Sequence, residues 1–236
     1  MYTLGIDTST QMCSVAIFHN EHGVIGEISQ KIALNHSQTF LILIDQLLKN
    51  CTLETSEIST IALNGGPGSF TGLRIGMAFA KGLSHANGAR VKTANSLDIL
   101  ASQVPCSNLP ILSLIDAKNH RVYAALYHVK DGEVLQQSDY LVGTLPTVLI
   151  QFSDLKCIAI GDACESYKDK IAQLIPQAEF VTKSLNYLRA STLCELAQKK
   201  EATPIEIIEP FYLLKTQAEL QLEEKEAKNY EKTKKV

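Results

Sequence analysis

The chain has 236 residues, of which 45% are hydrophobic, and its formal net charge at pH 7 is -3. This length allows one large domain or two small ones, and the composition is that of a globular protein. The slightly acidic balance excludes a strong overall attraction for nucleic acid. We find no basic leader and no apolar run of about 20 residues, so we expect neither a secretion signal nor a membrane span.

Six cysteines are spread along the chain, and none belongs to a CxxC pair. An even number would allow three disulfides, but this spacing is more typical of reduced, buried thiols in an intracellular protein. We therefore predict free thiols and a soluble, cytoplasmic protein.

The predicted elements of the first half follow the order β-β-β-α-β-α-β-α. Alternating apolar residues predict strands at 2–7, 12–18, 24–31, 59–63 and 88–93, and helical spacing predicts helices at 36–50, 70–86 and 96–104. The turn HNEHG at 19–23 joins the second and third strands.

The second half repeats this order without repeating the sequence. Strands are predicted at 111–116, 122–129, 133–141, 157–160 and 179–181, and helices at 144–152, 163–175 and 189–199. Three meandering strands followed by α-β-α-β-α, twice, describe a duplicated ribonuclease-H-like α/β fold with mixed sheets. Since PCSNLP at 105–110 is the natural junction, we predict an N-terminal lobe at 1–105, a C-terminal lobe at 106–215 and a charged tail at 216–236.

Two aspartates occupy equivalent places, because Asp7 and Asp116 each end the first strand of their half. Carboxylates facing each other across a cleft commonly hold a metal–phosphate group or activate water. The predicted nucleotide cleft consists of Asp7, Thr8, Ser9 and Asp116. In the alternative interpretation each aspartate caps its own turn, DTST or DAKN, and both interpretations stay open. An ATP site here would be incomplete, because DAKN has no glycine to approach a phosphate.

The segment NGGPGSFTGLRIG at 64–76 resembles a phosphate-binding loop but lacks the residues that such loops need. A Walker loop requires a lysine where Leu73 follows Gly72. A dinucleotide loop requires a third glycine where Thr71 stands, and an acid at the end of the next strand, where the sequence is TAN. We predict a tight turn in which Ser69 or Thr71 caps the following helix.

The helix after this turn carries small residues at four-residue intervals, from Gly72 to Ser84. A helical glycine costs about 1 kcal/mol relative to alanine, so the pattern indicates close packing, either on this chain's own sheet or on another chain. FLILIDQLL at 40–48 is apolar on nearly all sides, which favours another chain. The predicted partner surface comprises His36, Phe40, Leu43, Leu47, Leu73, Gly72, Gly76, Met77, Ala80 and Ser84. We expect Gly76→Leu to block pairing without unfolding the chain.

The remaining candidates for chemistry are weak. The six histidines show no HxxxH or HExxH spacing, and His19 and His22 in their turn do not by themselves make a metal site. No GxSxG elbow occurs. We therefore predict no catalytic residue and no metal site.

Six segments, in order along the chain, resemble the TsaB (YeaZ) family of bacterial tRNA threonylcarbamoyladenosine formation. They are LGIDTST at 4–10, HSQTFLILIDQLL at 36–48, NGGPGSFTGLRIG at 64–76, DAKNHRVYAALY at 116–127, IGDA at 160–163 and PFYLLK at 210–215. The resemblance covers roughly residues 1–215, and GPGSFTGLRIG is highly specific for the family. It implies an ASKHA (actin-like ATPase) fold.

The resemblance also implies a non-catalytic scaffold, a paralogue of TsaD, the subunit that transfers threonylcarbamoyl to the tRNA adenosine next to the anticodon. Such proteins pair with TsaD through the helices at 36–50 and 70–86, form homodimers through the same surface when alone, and are joined by the ATPase TsaE. tRNA would be contacted only through the complex, without any membrane. No cofactor is required, and weak nucleotide binding is left open. The alternative is a stand-alone actin-like nucleotide-binding enzyme or a metallopeptidase-like protein.

Three features depart from the family pattern. Leu214 stands where an arginine is common, and Gln38-Thr39 stand where Glu-Arg is common. The alternating acids and lysines of 216–236 have no family counterpart and favour a solvated tail.

Overall fold

The computed structural model describes residues 1–32 and 36–214, and the side chains of residues 36 and 37 lie outside that description. The predicted role of His36 and the predicted tail at 216–236 therefore fall outside the described residues. The first sheet contains β1 (Tyr2–Asp7), β2 (Met12–His19), β3 (Gly23–Lys31), β4 (Ile58–Gly66) and β5 (Arg90–Asn95), in the order β3-β2-β1-β4-β5. β1 pairs antiparallel with β2 and parallel with β4.

The second sheet repeats this arrangement. It contains β6 (Ile111–Asp116), β7 (Arg121–Lys130), β8 (Glu133–Gln136), β9 (Leu141–Thr144), β10 (Cys157–Ile160) and β11 (Ala178–Phe180). The strand order is β11-β10-β6-β7-β8, and β9 also pairs with β7. β6 pairs antiparallel with β7 and parallel with β10, as β1 does with β2 and β4. The predicted duplication of a mixed α/β fold is confirmed.

The predicted single strand at 133–141 is wrong, because two short strands occupy its place. β8 pairs with residues 127–130 of β7, and β9 pairs with residues 121–124 of the same strand. Between them the Leu126 N–H donates to Ser138 Oγ over 2.9 Å, and the Gln137 N–H donates to the Leu126 carbonyl over 2.8 Å. A serine side chain that bonds to the backbone in this way competes with the regular ladder.

Seven helices are present in the described part of the chain: α1 (His36–Asn50), α2 (Phe70–Asn87), α3 (Ser96–Ala101), α4 (Leu145–Leu149), α5 (Ala163–Ser166), α6 (Lys168–Leu174) and α7 (Ala190–Gln198). The predicted helix at 96–104 ends early, at Ala101, and the one at 144–152 continues after Leu149 only as a 3-10 turn. The predicted helix at 163–175 is interrupted at Tyr167, whose φ of -132° is not helical.

The lobes share an apolar core. α1 and α2 pack on the first sheet, while α7, from the second half of the sequence, packs against β1 and β2. The close approach of α7 explains why residue 5 is a glycine, because a Cβ there would lie 2.6 Å from the Ala190 carbonyl oxygen. α3 contacts β6 of the other lobe, so residues of both halves meet in one buried cluster that includes Leu97, Tyr127 and Leu193.

The cysteines are free thiols, as predicted. Four of them, Cys13, Cys157, Cys164 and Cys194, are buried. Burial raises the pKa of the Cys157 thiol to about 11, which keeps it protonated and unreactive at neutral pH. Within residues 1–32 and 36–214, no helix combines the length and apolar character needed to cross a membrane.

Candidate functional site

Asp7, at the end of β1, lies in a closed polar cluster centred on Asn64 of β4. The Asn64 side-chain amide donates to Asp7 Oδ1 over 2.7 Å and to Ser9 Oγ over 2.9 Å. The Ser9 N–H also donates to Asp7 Oδ1, over 3.0 Å. Asn64 Oδ1 accepts from the Gly66 N–H and from Ser96 Oγ, over 2.9 and 2.8 Å. One asparagine thereby ties together the ends of β1 and β4 and the start of α3.

This cluster seals the Asp7 carboxyl from solvent. Asp7 is 1% exposed, and its Oδ2 has no hydrogen-bond partner among the described residues. Burial raises the pKa of Asp7, although the hydrogen bonds from Ser9 and Asn64 oppose the effect. A phosphate-bound metal could reach this carboxyl only after the cluster had opened.

The glycine turn joins β4 to α2 and places that helix against the end of β1. Ser69 is the N-cap of α2, and its Oγ accepts from the Gly72 N–H over 3.2 Å, so the predicted cap is confirmed. The Ser69 N–H donates to the Ser9 carbonyl over 2.6 Å, and Thr8 Oγ1 donates to the Gly72 carbonyl over 2.7 Å. The loop therefore binds the turn that follows the protein's own first strand, where a phosphate-binding loop would bind its ligand.

The small residues of α2 make room for this contact. A Cβ at Gly72 would collide with the Thr8 carbonyl oxygen, and one at Gly76 would lie 2.6 Å from Thr8 Oγ1 and 3.4 Å from Leu63. Of the two alternatives for the strip, the structure therefore shows packing on this chain's own sheet. A leucine at position 76 would have to displace Thr8, so the expectation that Gly76→Leu leaves the chain folded is corrected.

Asp116, the equivalent aspartate of the second lobe, also accepts hydrogen bonds from its own turn. The Lys118 N–H donates to Asp116 Oδ1 over 2.9 Å, and the Lys118 ammonium lies 3.0 Å from Oδ2. The Asp116 N–H donates to Asp162 Oδ1 over 2.8 Å. Burial raises the pKa of Asp162 to about 6, and the charge of Asp116 adds to the effect. Both first-strand aspartates therefore accept the amide two residues on, as the turn-capping alternative predicts.

A small cavity of about 80 Å³ adjoins Asp116 between the lobes. Its lining includes Thr10, Lys31, Asp116 and Asp162, but not Asp7. Small-molecule sites usually occupy about 300–1,000 Å³, so this space is too small for a nucleotide. Among the described residues, Asp7, Thr8 and Ser9 do not line this cavity beside Asp116, and the nucleotide cleft of these four residues stays a prediction.

The predicted partner surface lies mostly inside the protein. Six of its side chains, those of Phe40, Leu43, Leu47, Leu73, Met77 and Ala80, are at most 6% exposed. They form the inner faces of α1 and α2, and Phe40 meets Phe79 edge-on with ring centroids 5.2 Å apart. The outer face of α1 carries different residues, Leu41 and Ile42, which are 51% and 62% exposed. A partner lying on α1 would contact this outer face, not the buried residues.

The chain returns to α2 before the end of the described residues. The Phe211 N–H donates to the Gly65 carbonyl over 2.7 Å. Tyr212 stacks on Phe70 with ring centroids 4.9 Å apart, and its hydroxyl accepts from Arg74 Nε over 3.0 Å. Leu214, at the family's arginine position, packs against the core shared by the lobes.

Sequence reasoning missed Asn64 and Asp162, which complete the two aspartate clusters. A signal was present, because Asn64 directly follows the predicted strand at 59–63 and Asp162 follows the predicted strand at 157–160 by two residues. Both strands lie parallel to the first strand of their lobe. The carboxyl ends of neighbouring parallel strands meet at one edge of a sheet, so polar residues there are expected to come together.

Two lobes with the same strand order, joined through a shared core, define the actin-like (ASKHA) class of α/β proteins. The profile of the family described as "TsaD: tRNA N6-adenosine threonylcarbamoyltransferase" matches residues 10–222. This match spans far more than half of the chain, which therefore belongs to that family.

Individual relatives agree with the motifs read from the sequence. A protein of Bacillus subtilis (strain 168) named "tRNA threonylcarbamoyladenosine biosynthesis protein TsaB" is 29% identical over 223 residues, which are 93% of this chain and 96% of the relative. The protein of the same name from Escherichia coli (strain K12) is 25% identical over 220 residues, 90% of this chain and 94% of the relative. The structure "YeaZ from Pseudomonas aeruginosa" superposes with a TM-score of 0.73 at 27% identity, covering 90% of this chain and 99% of that one. The predicted resemblance to TsaB is confirmed.

Proposed function

We propose that this chain is a TsaB-type accessory subunit of tRNA threonylcarbamoyladenosine formation, a non-catalytic scaffold that binds a TsaD-like transferase. The names of its relatives supply the pathway. The observation that carries the proposal is the outer face of α1, where Leu41 and Ile42 are 51% and 62% exposed. The inner face of the same helix is already buried in the core, whereas these two side chains are largely exposed in the part of the chain that the structure describes. Exposed apolar surface of this kind commonly meets another protein.

The geometry of the aspartate clusters supports an accessory role. Asp7 is sealed by Asn64, and Asp116 is held by Lys118 beside a cavity of about 80 Å³. We propose that the subunit needs no cofactor. The alternative, a stand-alone nucleotide-dependent enzyme, would require both clusters to open. Saturable ATP binding by the isolated chain that is lost in Asp116→Ala would favour this alternative.

The proposed partner belongs to the same family and would carry helices equivalent to α1 and α2. Pairing of like faces about an approximate two-fold axis is a common way for related subunits to associate. The same face would allow a homodimer when the partner is absent. A TsaE-like ATPase would join the pair in the cytoplasm, and tRNA would be contacted only through the complex, in keeping with the net charge of -3.

Reconstitution tests the role in the pathway. A TsaD-like protein, a TsaE-like ATPase, threonylcarbamoyl-adenylate and tRNA are combined with and without this chain, and the modified adenosine is quantified. We expect modification to depend on the chain. Equal modification in its absence would refute the proposal.

A matched pair of variants tests the docking face. Ile42→Asp places a charge on the outer face of α1, whereas Ile150→Asp does so at an equally exposed position, 65% accessible, in the second lobe. We expect only Ile42→Asp to weaken binding to the TsaD-like protein, by at least about ten-fold, because an interface would bury its charge. Both variants should keep the thermal stability of the wild type. Equal binding by Ile42→Asp and Ile150→Asp would place the interface elsewhere.

A further inference from the structure

The turn between β2 and β3 brings two imidazoles and a carboxylate together at the surface. The donor atoms of His19, Glu21 and His22 all lie within 4.8 Å of one another. The two imidazole rings are nearly parallel, with an interplanar angle of 18° and centroids 4.7 Å apart. A metal ion lies near the plane of each imidazole that binds it, so one of the two stacked rings must rotate before both can bind the same ion.

The hairpin fixes the relative positions of these residues. His19 pairs with Gly23 across the ladder, which leaves three residues in the turn. Gly23 has a φ of +73°, a conformation that glycine adopts without strain and that closes three-residue hairpin turns. The Glu21 N–H donates to His19 Nδ1 over 3.3 Å, which orients this ring within the turn.

We propose that His19, Glu21 and His22 form a binding site for a divalent transition-metal ion of the zinc class. Two imidazole nitrogens and one carboxylate oxygen are the protein ligands of open zinc sites, with bonds of about 2.0–2.2 Å. Tetrahedral ligands at such bond lengths lie roughly 3.3 Å apart, so the donors must approach one another by about 1.5 Å or less. Glu21 and His22 are exposed and can make this adjustment by rotamer changes.

Three protein ligands would leave at least one coordination position of the ion open. His19 Nε2 lies 3.1 Å from the amino nitrogen of Met1, so an ion bound through Nε2 would take the place of that contact. The ring proton would then be on Nδ1, which could no longer accept from the Glu21 N–H. Water would complete the coordination. The ion would link the end of β2 to the start of β3, which is one of the two edge strands of the first sheet. The inference rests on this hairpin alone and is independent of the proposed function.

Calorimetric titration of the full chain with Zn²⁺ tests the site. The exposed thiol of Cys106 would compete for the ion, so the titration is made in a Cys106→Ser background. We expect one ion per chain. His22→Ala should weaken binding by at least about ten-fold, because the loss of even an indirect metal partner typically costs that much. His85→Ala removes another exposed histidine and should leave the affinity unchanged.

Thermal unfolding gives a second readout, since an ion that binds only the folded chain raises its melting temperature. Zn²⁺ should raise the melting temperature of the parent and of His85→Ala, but not that of His22→Ala. The proposal is overturned if binding is not saturable. It is also overturned if a His19→Ala/His22→Ala double variant binds as tightly as the parent, because the ligands would then lie elsewhere.

Discussion

Adding one methyl group at Gly72 tests the contact between α2 and the end of β1. An alanine Cβ there would collide with the Thr8 carbonyl oxygen and would lie 3.1 Å from its carbonyl carbon and 3.3 Å from Ser69 Cβ. Because the atoms of Thr8 are backbone atoms, no rotamer change can relieve the overlap. Overpacking costs about 1–3 kcal/mol, and alanine regains about 1 kcal/mol of helix propensity over glycine. With the steric cost at the upper end of its range, Gly72→Ala should lower the free energy of unfolding by about 2 kcal/mol.

The same helix offers a matched control. Outside its own helix turn, no heavy atom of the described residues lies within 4 Å of a Cβ at Gly82. Gly82→Ala should therefore show the propensity gain alone, about 0.5–1 kcal/mol of stabilisation. Urea unfolding followed by far-ultraviolet circular dichroism measures both changes. The two midpoints should lie on opposite sides of the wild type. If Gly72→Ala proved as stable as the wild type, α2 would not be packed on Thr8 as described.

Two further predictions concern the pH dependence of stability. Burial raises the folded pKa of Asp7 above its ordinary 3.8, so its contribution to stability is present below that value and is lost as the pH rises through the folded pKa. Asp7→Asn removes this titration. The stability of the variant relative to the wild type, measured by urea unfolding, should therefore rise from pH 4 to pH 8. A difference that stays constant over this range would contradict a raised pKa of Asp7. Asp162→Asn should also gain stability relative to the wild type as the pH rises, mainly between pH 4 and 6, because the pKa of Asp162 is about 6. The total gain in the free energy of unfolding should be at most about 3 kcal/mol.

The sequence predicts what depends on local pattern. The order of strands and helices follows from apolar periodicity, and the Ser69 cap follows from a polar residue placed just before a helix. The prediction of a single strand at 133–141 was wrong because the interruption depends on Ser138, whose Oγ accepts a hydrogen bond from the Leu126 N–H of the neighbouring strand. Nothing in the local pattern identifies that partner.

The faces of the helices could be predicted only in part. The small residues of α2 correctly indicate a close approach of backbone, but the pattern cannot say whether Thr8 or another chain approaches. In α1, apolar residues surround most of the helix, so composition does not separate the buried Phe40 from the exposed Leu41 and Ile42. That separation depends on how the helix is rotated against the sheet, which only tertiary packing determines.

The two lobes differ in the polar residue that contacts the first-strand aspartate. Asn64 lies near the end of β4 and contacts Asp7, whereas Asp162 follows β10 by two residues and contacts Asp116. An amide can donate as well as accept, and Asn64 uses both capacities to close its cluster around Asp7. A carboxylate only accepts, so Asp162 binds the Asp116 N–H and leaves a cavity beside Lys118. The donor capacity of the Asn64 amide is thus what closes the first-lobe cluster around Asp7.

Asn64→Asp tests this argument. The substitution removes the two hydrogen bonds donated to Asp7 and Ser9, and it places a second carboxylate 2.7 Å from Asp7 Oδ1. Buried groups left without partners, together with like charges, should cost at least about 3 kcal/mol at pH 8. The cost should shrink at pH 5, where one of the two carboxyls can keep its proton. Asn119→Asp, at an exposed position in the equivalent turn of the second lobe, should leave the urea midpoint nearly unchanged. If Asn64→Asp were as stable as Asn119→Asp at pH 8, the amide of Asn64 could not be what closes the first lobe.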